Sequence, residues 1–549
     1  MRFSNILLIS VLFASTSATE EDTVNLRRRG YELPYEAPAE EEPPRRVFVK
    51  YRRNRRTVFQ SELKKRSNKV RMHYDFKDMN TFVVSVPESA VEALKKNPDV
   101  EAVHDDVPRY SQYIPESIKL RKLQLDEEVI PYGIDMVQAR EVWKLGARGK
   151  GVTVCVVDSG VDQNHEDFAD VSGLESTDLP WGDDGVGHGT HCSGTIAAAE
   201  GNGKGVVGVA PDAKIFSVKV FTDDGGYAYS SGILSAVQEC VANGADIISM
   251  SLGGPLPNIF EIWEFQRILK DSNVISVAAA GNDGNGVWHF PASYPSVISV
   301  AAMDENKTIA RFSQYNGQVD IAAPGVDVLS TLPMKAPCLI CENVGYDYGT
   351  ISGTSMATPH VAGVLAILKS FKPNASPEDL IEAMLESAED LGSEGKDNSF
   401  GHGLAQALAA AKYLNGGSLA ASFVAQPNKT LDCGEGMMML DLKMLTDDYA
   451  SETYWDLRRI TDSGVQLSGA GYDDNSTTEL ERCIPKNCYT FTVYDSFGDG
   501  LCCSHGNGAY SLTVDGDVLV NNAGDFDFED MMTFGECVED SPTTSKPTK

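Results

Sequence analysis

From Ile130 to about Leu414 the chain alternates short Val/Ile/Ala-rich runs, at Val152–Val157, Ile215–Val220, Ile247–Met250 and Val274–Ala279, with amphipathic stretches of helix length. Runs that are apolar at every position, not at every second one, belong to strands buried on both faces. The arrangement that buries them is a mostly parallel sheet covered by helices on both sides. In such α/β folds, sites form beyond the carboxyl ends of the strands. The 549-residue chain is too long for one core, so this unit is expected to have neighbours.

The flanks differ in composition. Residues 1–18 carry Arg2, an apolar run from Ile6 to Ala14 and small residues ending at Ala18, the layout of a secretory signal peptide. No later stretch reaches the roughly 18 apolar residues that a membrane span needs, so no membrane anchor is expected. Residues 19–46 are rich in Glu, Pro and Arg and are expected to be a disordered leader. Residues 47–113 predict a small α+β unit, with a strand in Thr81–Pro87 and a helix over Glu88–Lys96. Beyond the α/β unit of 114–415 come a linker at 416–430, a β-patterned, Cys-rich sandwich-like module at 431–538, and a Ser/Thr/Pro/Lys tail at 539–549.

A net charge of −32 argues against nucleic-acid binding, which requires clustered Lys and Arg, and favours solubility. The charge is uneven: Arg45 to Arg71 holds twelve Lys/Arg and one acidic residue, Glu62. That basic stretch either helps the N-terminal unit dock on the acidic remainder or is a solvated face. Acceptor triplets for N-glycosylation at Asn306, Asn374, Asn428 and Asn475 fit a secretory route.

Three segments carry the chemistry. Val156-Val-Asp-Ser-Gly-Val-Asp162 ends an apolar strand at Asp158. Gly187-His-Gly-Thr-His-Cys-Ser-Gly194 opens a helix. Gly349-Thr-Ile-Ser-Gly-Thr-Ser-Met-Ala-Thr-Pro-His360 precedes another. A serine hydroxyl is a poor nucleophile at neutral pH and needs an imidazole base, itself oriented by a carboxylate. Taken singly, Asp158 could be a strand-end turn residue, His188 a core histidine and Ser355 a helix N-cap. Their order of Asp, His and Ser along the chain is the order of subtilisin and not of chymotrypsin-type enzymes or α/β-hydrolases.

Together these segments resemble the subtilisin-like serine peptidases, over roughly residues 47–415. The resemblance implies a subtilisin-like fold, Ser355 as nucleophile, His188 as general base and Asp158 as the orienting carboxylate. Ala278-Ala-Ala-Gly-Asn282 resembles the family's oxyanion motif, with Asn282 as side-chain donor beside the Ser355 N–H; an Asn-Asp-Gly turn is the alternative. His191 and His360 are expected to be structural. Cys192 resembles the proteinase K branch, where a buried free thiol lies beneath the catalytic histidine.

The resemblance also implies substrate-binding segments. Ser251, Leu252 and Gly253 form one edge, Gly225 and Tyr229 the opposite edge, and Ala279 to Gly281 a wall of the main specificity pocket, with His289 near its floor. Asp167 and Asn202, in regions that meet Glu128, are the candidate ligands of a structural calcium ion, or else ordinary turn residues. Residues 47–113 resemble an inhibitor propeptide, with self-cleavage expected between Tyr110 and Glu127. Ile130-Pro-Tyr-Gly-Ile134 resembles the start of a mature enzyme, and Arg27-Arg-Arg29 is a further candidate processing site.

Cys433, Cys483, Cys488, Cys502, Cys503 and Cys537 are expected to form three disulfides, of unassigned pairing. Cys338 and Cys341, in an expected surface loop, suggest a short disulfide or part of a metal site, and five cysteines in the α/β unit leave at least one unpaired. Asp495-Ser-Phe-Gly-Asp-Gly500 lacks EF-hand spacing and reads as a stabilising turn. The expected protein is a secreted, self-processed, monomeric serine endopeptidase acting on proteins or peptides, with its own propeptide as inhibitor. Two alternatives remain at this point. One is a secreted binding protein with an inert protease scaffold, whose C-terminal module engages glycans or cell surfaces. The other is a selective precursor-processing protease with an acidic cleft.

Overall fold

The computed structural model describes residues 44–52, 55, 57, 61, 70–112, 127–174, 179–335, 337–416, 437–446, 453–460, 465–470, 477–495, 508–524, 529–535 and 537. The signal peptide and leader up to residue 43, Arg27–Arg29, the linker beyond residue 416, Asn428, Asn475, Cys433, Cys502, Cys503, residues 496–500 and the tail lie outside them.

The N-terminal unit is α+β, as its pattern predicts. Strands β1 (Arg45–Tyr51), β2 (Arg71–Phe76), β3 (Thr81–Val86) and β4 (Val100–Asp105) form an antiparallel sheet in the order β2-β3-β1-β4. The two-residue period of a strand divides its apolar side chains between two faces. Val47, Val49, Phe82 and Val84 close on Val91 and Leu94 of helix Glu88–Lys95. Phe48, Phe76 and Val83 point the other way, against Leu234 and Phe260 of the next unit, and the Phe48 and Phe260 rings stack at 4.7 Å. This unit also caps the start of one helix of its neighbour. Asp106 accepts hydrogen bonds from the Ser231 N–H at 2.9 Å and from the Ser230 and Ser231 hydroxyls, at the start of helix Ser230–Ala242. A carboxylate there satisfies a free amide and complements the helix dipole. A short strand, β5 (Pro108–Ser111), then leaves the unit.

The central unit contains β6 (Thr153–Asp158), β7 (Val171–Gly173), β8 (Lys214–Lys219), β9 (Ala228–Tyr229), β10 (Ile247–Met250), β11 (Leu252–Gly253), β12 (Ile275–Ala279), β13 (Val297–Met303), β14 (Ile321–Pro324), β15 (Val328–Thr331) and β16 (Tyr348–Ile351). Seven of these form a parallel sheet in the order β14-β13-β12-β10-β6-β8-β7. The four strands expected from apolar runs are β6, β8, β10 and β12, each within a residue of its expected bounds, and nearly all their residues are buried. One layer of helices includes Thr354–Phe371, buried throughout from Thr354 to Leu368. A Cys155–Cys240 disulfide ties β6 to helix Ser230–Ala242 in the opposite layer.

Eight further strands form the C-terminal module: β17 (Met437–Leu445), β18 (Thr453–Arg459), β19 (Val465–Ala470), β20 (Thr477–Pro485), β21 (Cys488–Asp495), β22 (Ala509–Val514), β23 (Asp517–Ala523) and β24 (Glu529–Gly535). They pair antiparallel in two four-stranded sheets, β20-β17-β22-β23 and β19-β18-β21-β24. Leu440, Leu442, Tyr454, Leu457, Phe491, Tyr510 and Leu512 are buried in its core. Cys488 and Cys537 form one of the expected bridges. Among the described residues, no helix is long and apolar enough to cross a membrane.

Two local expectations change. Cys338 and Cys341 do form a disulfide, but both are buried under the loop and not set on its surface. Ser355 is not an N-cap: the helix starts at Thr354 with Gly353 at the cap, so Ser355 stands in the first turn with its amide free of intrahelical bonding.

Candidate active site

Three carboxyl-end features of the sheet converge on one place. Strand β6 ends at Asp158, helix His188–Ala197 begins beside it, and helix Thr354–Phe371 begins with Ser355 in its first turn. Asp158, His188 and Ser355 are all fully buried. His188 Nδ1 donates to Asp158 Oδ1 at 2.7 Å, which leaves Nε2 as the ring's second nitrogen. Burial resists charging this ring, but the Asp158 carboxylate overrides it and holds the imidazole well above its ordinary 6.5.

The helix that carries His188 is organised by a residue the motif reading missed. Asp184, buried, accepts hydrogen bonds from the Ser159 hydroxyl, from the amides of Val186, Gly187 and Thr190, and from the Thr190 hydroxyl at 2.6 Å. It therefore satisfies amides that open at the helix start. Gly187, at φ 91°, is the cap, and a Cβ there would meet Cys338 Sγ at 2.7 Å, so both conformation and space require glycine. An acidic residue four positions before His188 was the available signal.

Ser355 is fixed through its carbonyl. Pro359 has no N–H to give to the carbonyl four residues earlier, which is that of Ser355. The Ser251 hydroxyl supplies a bond at 2.8 Å instead, with the Cys192 thiol at 3.6 Å. Cys192 is a buried free thiol, as expected, and burial raises its pKa, the opposite of what a nucleophilic cysteine needs. Asn282 Oδ1 accepts from both the N–H and the hydroxyl of Thr354 at 2.9 Å. Its Nδ2 is buried and has no partner among the described residues.

The segment just before the central unit lies in the cleft. β5 pairs antiparallel with β9 on one side, Pro108 opposite Tyr229 and Arg109 opposite Ala228, and with β11 on the other, Ser111 opposite Leu252 and Tyr110 opposite Gly253. Gln112 follows. Its N–H donates to the Ser251 carbonyl at 3.1 Å, and its own carbonyl accepts from the Ser355 N–H at 3.1 Å. Its side chain is buried, with Nε2 donating to the Gly253 carbonyl at 3.3 Å. The Ser355 hydroxyl donates to the Ser251 carbonyl at 3.1 Å, and a peptide carbonyl on the amide of a buried serine beside a His–Asp pair is an arrangement suited to acyl transfer.

The other expected site residues divide. Tyr229, Ser251, Leu252 and Gly253 lie on the two edges that hold β5. Gly225 is in an exposed turn before β9 and pairs with nothing in this ladder. Ala279 is buried at the end of β12, and Gly281 faces His289, whose Nδ1 would lie 2.7 Å from a Cβ built there. His289 Nε2 bonds Asp283 at 2.9 Å. His191 donates through Nε2 to the Val328 carbonyl and His360 through Nδ1 to that of Met356, and burial lowers them to about 3 and about 4. Neutral, buried and bonded to backbone, they have structural surroundings.

Asp167 and Asn202 do meet. Asn202 Nδ2 donates to Asp167 Oδ1 at 2.6 Å, Val206 N–H donates to Oδ2, and the Glu128 carboxylate accepts from the amides of Gly201 and Asn202. Burial pushes the Asp167 carboxyl up, although the hydrogen bonds from Val206 and Asn202 draw it the other way. Two carboxylates and an amide side chain around one loop are residue types that calcium takes, so they fit that ion by chemistry, although here Asn202 turns its Nδ2 to Asp167 and its Oδ1 accepts from the Lys204 N–H.

Residues 149–403 match the sequence profile of the subtilase family, and residues 38–112 that of the peptidase inhibitor I9. Subtilisin NAT of Bacillus subtilis subsp. natto is 37% identical over 351 residues, covering 61% of this chain and 82% of its own length. An intracellular serine protease of Paenibacillus polymyxa is 40% identical over 284 residues, covering 50% and 82%. The crystal structure of the psychrophilic subtilisin-like protease Apa1 from the Antarctic psychrotroph Pseudoalteromonas sp. AS-11 aligns with a TM-score of 0.48 at 28% identity, over 53% of this chain and 98% of that one. The chain belongs to the subtilase family of serine endopeptidases and carries an I9-type propeptide.

Proposed function

We propose that this protein is a secreted zymogen that cleaves itself at the Gln112–Tyr113 bond and then hydrolyses protein substrates through an acyl-enzyme on Ser355. The reading is carried by one observation, the Gln112 carbonyl on the Ser355 N–H with β5 threaded between β9 and β11. In this scheme His188 takes the Ser355 proton as the hydroxyl attacks the Gln112 carbonyl, and Asp158 fixes the ring and stabilises its charge. The Ser355 N–H and Asn282 Nδ2 receive the negative oxygen. His188 then passes the proton to the departing nitrogen of Tyr113, and water completes the cycle. After the cut β5 still fills the cleft, so the propeptide inhibits as a product until it leaves.

Secretion is supported by the layout of residues 1–18 and by the disulfides Cys155–Cys240, Cys338–Cys341 and Cys488–Cys537, bonds that persist in oxidising compartments. Asn306 and Asn374 are exposed, as glycan acceptors must be. Asp167 and Asn202 would hold calcium as a clamp on the loop at 201–206, with no part in the chemistry. The protein is read as a monomer, and for the C-terminal sandwich the proposal is a glycan or cell-surface ligand, testable on a glycan array.

The deciding experiment expresses the precursor and its Ser355→Ala variant and reads both by intact mass and N-terminal sequencing. Wild type should yield a new terminus at Tyr113 and the variant none. A folded wild-type precursor that stays uncut would defeat the reading.

A further inference from the structure

We infer that the enzyme selects substrates with arginine three residues before the residue that acylates Ser355, through a buried anionic pocket formed by Glu261 and Tyr294. The inference rests on the reading of Gln112 as the acyl residue, which puts Arg109 at that position.

Arg109 and Glu261 are both fully buried. The Arg109 Nη2 donates to Glu261 Oε2 at 2.5 Å, and the Tyr294 hydroxyl donates to the same oxygen at 2.7 Å. The Asn258 N–H donates to the Tyr294 oxygen at 2.8 Å, which fixes the phenol. Glu261 lies in the first turn of helix Ile259–Ser272, whose dipole favours its charge. Gly254 provides the room: a Cβ there would stand 2.7 Å from the Pro108 carbonyl and 3.4 Å from Arg109 Nη1. All these pocket groups belong to the central unit, whereas Arg109 belongs to the strand that leaves.

Charge decides the specificity. A carboxylate in such a pocket is costly without a partner: burial holds Glu261 above the usual carboxylate range even with the Arg109 guanidinium drawing it down. Glu261 Oε1 is also buried and unpartnered among the described residues, so an arriving fork has a second oxygen to use. A guanidinium restores what the departing strand removes; an aliphatic side chain strands the carboxylate. Tyr110, by contrast, is 46% exposed, so the next position should tolerate most residues. The recognised feature is thus one arginine, three residues before the acyl residue of an extended segment, with a tolerant position directly after it.

The test uses mature enzyme obtained from the full-length precursor, with acetyl-Arg-Tyr-Ser-Gln-aminomethylcoumarin and its Ala-Tyr-Ser-Gln and Arg-Ala-Ser-Gln counterparts, alongside labelling by a fluorophosphonate. Replacing Arg by Ala should lower kcat/KM at least about 100-fold, the scale of stranding a buried charge, and replacing Tyr by Ala by less than about 3-fold. A double variant, Arg109→Leu with Glu261→Leu, keeps the propeptide contact apolar and should mature yet lose the arginine preference. Equal hydrolysis of the Arg and Ala peptides, or a double variant that still prefers arginine, overturns the inference and leaves the protease reading intact. Labelling of Ser355 with no hydrolysis of any peptide also overturns it. No labelling and no hydrolysis sinks the protease reading itself, and the inference with it.

Discussion

Thr354 holds Asn282 by two hydrogen bonds, from its N–H and its hydroxyl to a single side-chain oxygen, each 2.9 Å. With Oδ1 doubly engaged, the amide is committed to presenting Nδ2, buried and unpartnered among the described residues. A donor fixed before the charge develops acts only as the transition state forms. Asn282→Ala should therefore lower kcat by about 100- to 1000-fold with KM nearly unchanged. Steady-state kinetics on one peptide checks this, and a loss carried mainly by KM would assign Asn282 to substrate binding instead.

The acid side of the pH profile should report His188. Its neutral form is the base, and Asp158 holds its pKa above 6.5 despite burial. Activity should thus rise with pH through a midpoint above 6.5. Asp158→Asn removes the charge that stabilises the imidazolium, so the midpoint of the residual activity should move down, with kcat lower by about 10⁴. A profile of kcat/KM from pH 5 to 9 for both proteins is the measurement, and an unmoved midpoint would place the control elsewhere.

His191 and His360 should make the fold acid-sensitive. Their folded values of about 3 and about 4 lie below the ordinary 6.5, so the unfolded chain binds the extra protons. Their neutral burial contributes stability in full above pH 6.5, and that contribution is lost as pH falls from there through their folded values. Melting temperature should decline over that window, and less steeply in His360→Gln. Calorimetry from pH 3.5 to 7.5 decides, with parallel declines counting against His360.

Removing calcium should loosen the 201–206 loop. If Asp167 and Asn202 bind the ion at about 100 times its Kd, chelation costs about 2.7 kcal/mol, a few degrees in Tm for a unit of this size. Asp167→Asn should abolish the response to EGTA. Identical melting curves with and without chelator would leave the loop held by its hydrogen bonds alone.

Much of this was legible in the chain, for identifiable reasons. The parallel sheet was written in uninterrupted apolar runs because strands buried on both faces leave no polar alternation. Asp158, His188 and Ser355 could be singled out as candidates because each sits at a strand or helix end inside a dense local motif, as could Asn282 three residues past β12. Asp184 was passed over although it stands four positions before His188 and bonds mostly to its near neighbours Val186, Gly187 and Thr190, because no periodicity singles out a capping carboxylate. Glu261 could not be found, because its partner Arg109 lies 152 residues away and only folding brings the two together. The Cys338–Cys341 loop was expected at the surface, but burial depends on what packs over a loop, which a single sequence does not encode. Gln112 was invisible for a related reason, since its role lies in one carbonyl that every residue possesses.

β5 is the middle strand of a three-stranded sheet whose outer members are only two residues long each. Once it departs, the enzyme is left with a gap shaped for a backbone that has no partners of its own. Segments of folded proteins already spend their amides in helices and sheets, so they can fill the gap only after peeling away from their own structure. The enzyme should therefore read the local melting of its targets as closely as their sequence, cutting frayed loops and termini first and leaving well-knit domains whole.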